Sequence, residues 1–223
     1  MIIVKDFNIS VNKDKAYKAI TSYYPLPDKN KFDVLYNTSM EIARASIKPL
    51  GAFKLDKMPI IKPSNLFDAC DEIIYCFFTI GDEITEIIDK LFLENKFTNA
   101  IILDGISTTI LFEFSNQFHN KIYEYTSKRN LGLTCRIAPG DGEVDISFQK
   151  NIVESFGEYK NLGIEVIHDY IIKPYKSLTY VFGADKNITI NNEDHKCEDC
   201  HNLSCFMRDS NKKIRGPFYN LDK

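Results

Sequence analysis

Residues Thr98 to Lys128 read TNAIILDGISTTILFEFSNQFHNKIYEYTSK. Ile101, Ile102, Ile106, Ile110, Leu111, Phe114, Phe118 and Ile122 recur at helical spacing and give one long helix a broad apolar face. A helix of that length needs a sheet or other helices to cover it. Just upstream, Asp71 to Ile80 is rich in β-favouring Ile, Tyr, Phe and Thr, and it meets Gly81-Asp82. This is a strand handing over to a second helix, whose inner face is Ile84, Ile87, Ile88 and Leu91. Further out, residues 2–9 predict a strand and Asp14 to Tyr23 a short helix stopped by Pro25 and Pro27. Phe32, Leu35, Tyr36, Met40, Ala43 and Ile47 predict a helix ended by Pro49, and Gly51 to Met58 an extended segment. Downstream, Leu131 to Ala138 predicts a strand ending in Pro139-Gly140, and Phe148 to Phe156 a short helix. Gly163 to Tyr170 and Ser177 to Phe182 predict two more strands. No regular βαβ alternation and no internal repeat is present. The expectation is an α+β domain with a curved mixed or antiparallel sheet packed by a long helix and shorter ones.

The chain has 223 residues, 44% of them hydrophobic, enough for a substantial core. The formal charge is −3 and the lysines carry no basic block, so a nucleic-acid partner is not implied. The first residues, Met1-Ile2-Ile3-Val4-Lys5-Asp6, lack the features of a signal peptide, and no later apolar run approaches a membrane span. A soluble, cytoplasmic and reducing setting is expected, with no membrane partner. There the several Asn-x-Ser/Thr triplets, Asn187-Ile188-Thr189 among them, carry little meaning.

Common nucleotide and hydrolase signatures are missing. There is no P-loop. Gly140-Asp141-Gly142 lacks the third glycine of a dinucleotide turn, and Asp141, Glu143 and Asp145 would repel a pyrophosphate. Ile146 and Ile152 stand where a calcium loop needs its glycine and its bidentate glutamate, so the three acids read as solvated turn residues. No nucleophile elbow exists among four histidines. His119 reads as a helix-surface histidine and His168 as a strand one. No catalytic acid or base is assigned.

Two segments have the chemistry of a small-ligand site. In Arg136-Ile137-Ala138-Pro139-Gly140-Asp141-Gly142, an arginine fork for a carboxylate precedes a proline and glycines that let backbone approach a ligand. Composition alone favours the plainer reading, a tight turn with a surface arginine. Lys173-Pro174-Tyr175-Lys176-Ser177 offers a cation and a hydroxyl to an anion, or simply starts an edge strand. Near the C-terminus Cys197, Cys200 and Cys205 form a C-x2-C-x4-C cluster beside His195 and His201, in polar sequence where thiols do not serve as core. A metal is the leading reading. It is either zinc, with His195, His201 or Cys135 as fourth ligand, or an iron-sulfur cluster; unligated thiols are the plain alternative. The expected division is an α+β domain over residues 1–190 and a Cys-rich segment over 191–223.

In order and spacing these elements resemble the reactivation domain of cobalamin-dependent methionine synthase, in particular its short stand-alone relatives. The family pattern runs R-x-x-P-G-Y-G, a helix containing Gln, P-x-K-S, a glycine and a terminal C-x2-C-x4-C-x2-R. This chain offers Arg136, Pro139, Gly140 and Gly142, then Gln149, then Pro174, Lys176 and Ser177, then Gly183, then Cys197, Cys200, Cys205 and Arg208. Thr79-Ile80-Gly81 and Leu103-Asp104 are similar to two further family elements. The likeness covers roughly residues 70–210. The family tyrosine is Asp141 here, and a following aromatic is Val144.

The resemblance implies a role in rescuing a corrinoid cofactor, by bringing S-adenosylmethionine to the cobalt for reductive methylation of inert cob(II)alamin. The implied contacts to S-adenosylmethionine are Arg136, Ala138, Pro139, Gly140, Asp141, Gly142, Lys176 and Ser177, with Cys197, Cys200 and Cys205 on a metal. Implied partners are a methionine synthase lacking its activation domain, or another corrinoid-dependent methyltransferase subunit, with cobalamin on that partner and an external electron donor. The other reading is a non-catalytic, metal-binding adaptor or electron-transfer module whose S-adenosylmethionine site is degenerate.

Overall fold

A computed structural model describes residues 1–21, 24, 29–141, 144–168 and 170–191. The sheet contains β1 (Ile2–Val4), β2 (Leu50–Lys57), β3 (Glu72–Thr79), β4 (Gly132–Leu133) and β7 (Ser177–Asp185) in the order β1-β2-β3-β7-β4. Every neighbouring pair is antiparallel, with Ile2 opposite Phe53, Ala52 opposite Phe77, Phe77 opposite Thr179 and Leu133 opposite Ala184. The sheet curls into a half-barrel. A separate hairpin joins β5 (Glu165–Ile167) to β6 (Ile171–Lys173). The helices are α1 (Lys13–Thr21), α2 (Lys29–Ser46), α3 (Glu83–Leu93), α4 (Phe97–Ser127) and α5 (Phe148–Ser155).

Side chains alternate across a strand, so the central strands feed two cores. Ile74, Cys76, Phe78, Tyr180 and Phe182 point to the face that α4 covers, where Ile102, Ile106, Ile110, Phe114 and Phe118 meet them. Ile73, Phe77 and Val181 point the other way, to Ile152, Val153 and Phe156 of α5, Ile164, and Ile172 of the hairpin. That is why β3 reads as a nearly unbroken apolar run. Helices α1, α2 and α3 pack around α4. Among the described residues α4 is the one helix long and apolar enough, by length and composition alone, to cross a membrane. This corrects the expectation that no apolar run approaches a span: in this fold α4 is the buried central helix.

Several expected boundaries move. The N-terminal strand stops at Val4 because Phe7 leaves the sheet and packs on Phe78 and Phe114, at ring-centroid distances of 5.1 and 5.3 Å. The side-chain amide of Gln117 then takes the place of a strand neighbour. Its Oε1 accepts from the Asn8 N–H at 2.9 Å and its Nε2 donates to the Asn8 carbonyl at 2.8 Å. The strand expected over 163–170 ends at Ile167, where His168, at φ 49°, turns the chain into β6. His168 is thus an exposed turn residue rather than a strand one. His119 is not on the helix surface either: it is 4% exposed and its ring lies 5.5 Å from Phe182. Finally, β7 is no edge strand, since β3 and β4 flank it on both sides.

Candidate functional site

The segment after α4 was expected to be one strand from Leu131 to Ala138. It pairs only at Gly132–Leu133 and again at Ile137, opposite Val181. Five residues from Leu133 to Ile137 lie opposite four from Ala184 to Val181, so one extra residue is inserted as a bulge. Within it the Thr134 N–H still donates to the Gly183 carbonyl at 3.0 Å, and the Thr134 hydroxyl accepts the Gly183 N–H at 3.0 Å. The insertion exchanges faces. Leu133 belongs to the α4 core but Ile137 to the α5 core, which returns Arg136 and Ala138 to the α4 side. There Arg136 Nη1 donates to Ser115 Oγ at 2.9 Å, and the guanidinium carbon stands 5.4 Å from the centroid of the Tyr180 ring. The arginine is half-buried, not the surface residue that composition favours.

Beyond Ile137 the chain folds into a closed bend. The Asp141 N–H donates to the Ala138 carbonyl at 2.9 Å and the Gly140 N–H to the Val144 carbonyl at 2.8 Å. Gly140 has φ +90°, a conformation that disfavours any side chain, and a Cβ there would stand 3.3 Å from Ile146 Cδ1. Pro139 is buried and so is Val144, at 2% exposure. Asp145 is exposed and accepts the Ser147 N–H at 2.8 Å. The Ser147 hydroxyl and amide together hold its carboxyl below the usual range. Gly142 and Glu143 lie outside the described residues.

Lys176 and Ser177 sit at the start of β7. The antiparallel register at Ile137 and Val181 runs the bend towards this end of the strand. Their side chains are nevertheless committed. Lys176 Nζ pairs with Asp104 Oδ1 at 2.8 Å and donates to Thr108 Oγ1 at 2.8 Å, with only 13% of its side chain exposed. Its carbonyl accepts from the Ile80 N–H at 3.1 Å and the Thr79 hydroxyl at 3.2 Å. The Ser177 hydroxyl donates to the Pro174 carbonyl, after the cis Lys173-Pro174 bond. Gln149 clips three elements together: its Nε2 donates to the Tyr170 carbonyl at 2.7 Å, and its Oε1 accepts from the Thr179 hydroxyl at 3.2 Å.

Sequence reasoning passed over Ser115, Tyr180 and Thr108, the partners of the two cations. One signal was available. Asp104, Thr108 and Ser115 fall on a single stripe of α4, because 4 and 11 residues are close to whole numbers of helical turns. Among the described residues no group of three or more His, Cys, Asp or Glu is placed to hold a metal ion. Cys197, Cys200, Cys205, His195 and His201 lie outside the described residues, whereas Cys135 is described and exposed.

Against this geometry a solved structure can be set: the crystal structure of the MetH reactivation domain bound to AdoHcy superposes with a TM-score of 0.56. The two share 11% sequence identity over 85% of this chain and 80% of that one. This chain has the fold of that reactivation domain. No protein-family model and no curated protein matches the sequence. At such low identity the likeness to the MetH reactivation domain is one of architecture: an α+β unit with a curled antiparallel sheet and a long helix.

Proposed function

We propose that this protein is an activation component for a corrinoid-dependent methyltransferase, with methionine synthase as the leading partner, and that it binds S-adenosylmethionine at the bend from Arg136 to Asp141. The observation that carries the reading is the bulge that turns Arg136 onto the α4 face immediately before the Pro139-Gly140 bend, in a chain with the fold of a domain whose structure holds AdoHcy, the demethylated form of that donor. The Arg136 fork is the group suited to the ligand's carboxylate, and the backbone of Ala138, Pro139 and Gly140 to close contact with the rest. Gly142, Lys176 and Ser177 complete the proposed set, the lysine and serine by holding the start of β7 in place. Asp141 is suited to the ligand's α-amino group or sulfonium. S-adenosylmethionine supplies an activated methyl on a good leaving group, so the residues around it need to align and shield, with no acid or base.

Cobalamin on the partner would be the methyl acceptor, once an external donor had supplied one electron to cob(II)alamin, and S-adenosylhomocysteine would be the product released from the bend. Cys197, Cys200 and Cys205 are proposed as ligands of zinc or of an iron-sulfur cluster, in a segment from 191 to 223 distinct from the domain over 1–190, in a cytoplasmic protein. A second reading, an adaptor with a degenerate ligand site, is favoured by one feature of the bend: the Gly140 and Asp141 amides are bonded within it, and Ile146 lies against Gly140. Anaerobic mixing with the corrinoid partner, a strong one-electron reductant and S-adenosylmethionine separates the two. The proposal expects the methylcobalamin spectrum to appear only when this protein is present. Unchanged cob(II)alamin under those conditions supports the adaptor instead.

A further inference from the structure

A half-open cavity of about 180 Å³ lies between α1 and α4, lined by Ala19, Ile20, Tyr24, Ile101, Asp104, Gly105 and Thr108. We infer that it is a binding site for a small organic cation, an ammonium head on a short apolar body. The cavity adjoins Lys176 through Asp104 and Thr108 but lies on a different stretch of α4 from the Arg136 contact: Asp104 and Ser115 are 11 residues apart, about 16 Å along the helix axis.

Its shape follows from a glycine. A Cβ on Gly105 would stand 2.3 Å from Ile20 Cγ1, so only glycine lets α1 close on α4 at this level. The contact makes an apolar floor, with Ala19 and Ile101 beside it. The Tyr24 N–H donates to the Ile20 carbonyl at 3.0 Å, and the half-exposed Tyr24 is one of the lining residues. An aromatic ring among the lining residues is compatible with a cation.

The polar wall is one-sided. The Thr108 hydroxyl donates to the Asp104 carbonyl at 2.9 Å and accepts from Lys176, so its proton is committed. The half-exposed Asp104 carboxylate uses Oδ1 for Lys176, whose ammonium is not part of the lining. A carboxylate has about four acceptor positions, and a lysine behind the wall occupies one. Apart from the Tyr24 phenol, the described side chains of the lining therefore present acceptors and apolar surface. A ligand must bring its own donors and positive charge, on a body small enough for the cavity. Among the described lining residues no cationic side chain is present to receive a carboxylate or phosphate, and the Lys176 ammonium beyond them is already paired with Asp104.

The test is an amide-resolved NMR titration of the full chain with n-butylammonium, 1-butanol and butyrate at constant ionic strength. Butylammonium is expected to shift the Ala19, Gly105 and Thr108 amides saturably, at least about tenfold more tightly than butanol, the gain of a charge-assisted hydrogen bond. Butyrate should leave them unmoved. Ala19→Leu, which fills the cavity and keeps the Asp104–Lys176 pair, should abolish the shifts, and Asp104→Asn should weaken binding about tenfold or more. Arg136→Ala should change nothing at these amides. Equal binding of amine and alcohol, or shifts that survive Ala19→Leu, would overturn the inference whatever becomes of the bend.

Discussion

Gly183 in β7 has no room for a side chain: a Cβ would lie 2.6 Å from Cys70 Sγ and 2.8 Å from Phe67 Cδ1. Sequence alone supplied only its place in a family pattern, whereas the structure gives a packing reason. Gly183→Ala is expected to cost about 1–3 kcal/mol by overpacking, read as a lower urea midpoint at unchanged slope. Close by, Asp185 accepts the Asn187 N–H at 2.8 Å and the Asp71 N–H at 3.2 Å. The Asn187 amide first, then the Asp71 amide, outweigh desolvation and hold the Asp185 carboxyl below the usual aspartate range. A carboxyl lowered by folding stabilises the native state above its unfolded value, about 3.9, and that stability is lost as the pH falls through the lowered folded value. The urea midpoint should therefore drop on acidification below about pH 4, and Asp185→Asn should remove part of that drop. The Cys70 thiol, beside this turn, is pushed up by burial and by Asp185, as suits a core cysteine rather than a reactive one.

At the level of elements, α4 shows what periodicity reveals and what it hides. Its extent was legible to within one residue at each end, as were β3 and α5. Its apolar stripe was legible too, because Phe114 and Phe118 repeat at helical spacing. Phe118 fills the space above Gly51, with Phe53 and Phe78 at 5.9 and 5.8 Å. Phe118→Ala should cost about 3–5 kcal/mol in denaturant unfolding, the range for an aromatic truncated in a core. His119 was misjudged because its type outweighed its position: it lies four residues after Ser115 and three before Ile122, both buried. The bulge at residues 133–137 and the turn at His168 were not legible at all. Both depend on which neighbour each backbone group finds, and a single chain's pattern does not carry that. The Gln117 clamp on Asn8 is of the same kind. Gln117→Ala should release the segment after β1, raising amide exchange at Asn8 with little change in the sheet core.

For the whole molecule, one sheet lies between two cores, the bulge opposite Val181 to Ala184 turns Arg136 towards α4, and the start of β7 is where Lys176 meets α4. Composition favoured a plain turn at the bend and left Lys176 open, and only the family resemblance implied a ligand site there. The structure ties Lys176 to Asp104 and Thr108 of α4 and Arg136 to Ser115 of the same helix, and the proposed recognition is assigned to Arg136 as the one beside the bend. The Cys197, Cys200 and Cys205 cluster predicts that anaerobically prepared protein holds zinc, or iron with sulfide, and that Cys200→Ser lowers the metal content. Protein free of both would remove the metal reading. The most direct test of the account is calorimetric titration of the intact protein with S-adenosylmethionine, alongside Arg136→Ala. Saturable one-to-one binding that the substitution weakens by about 1–3 kcal/mol is the predicted result. No binding, or equal binding by the Arg136→Ala protein, would contradict it.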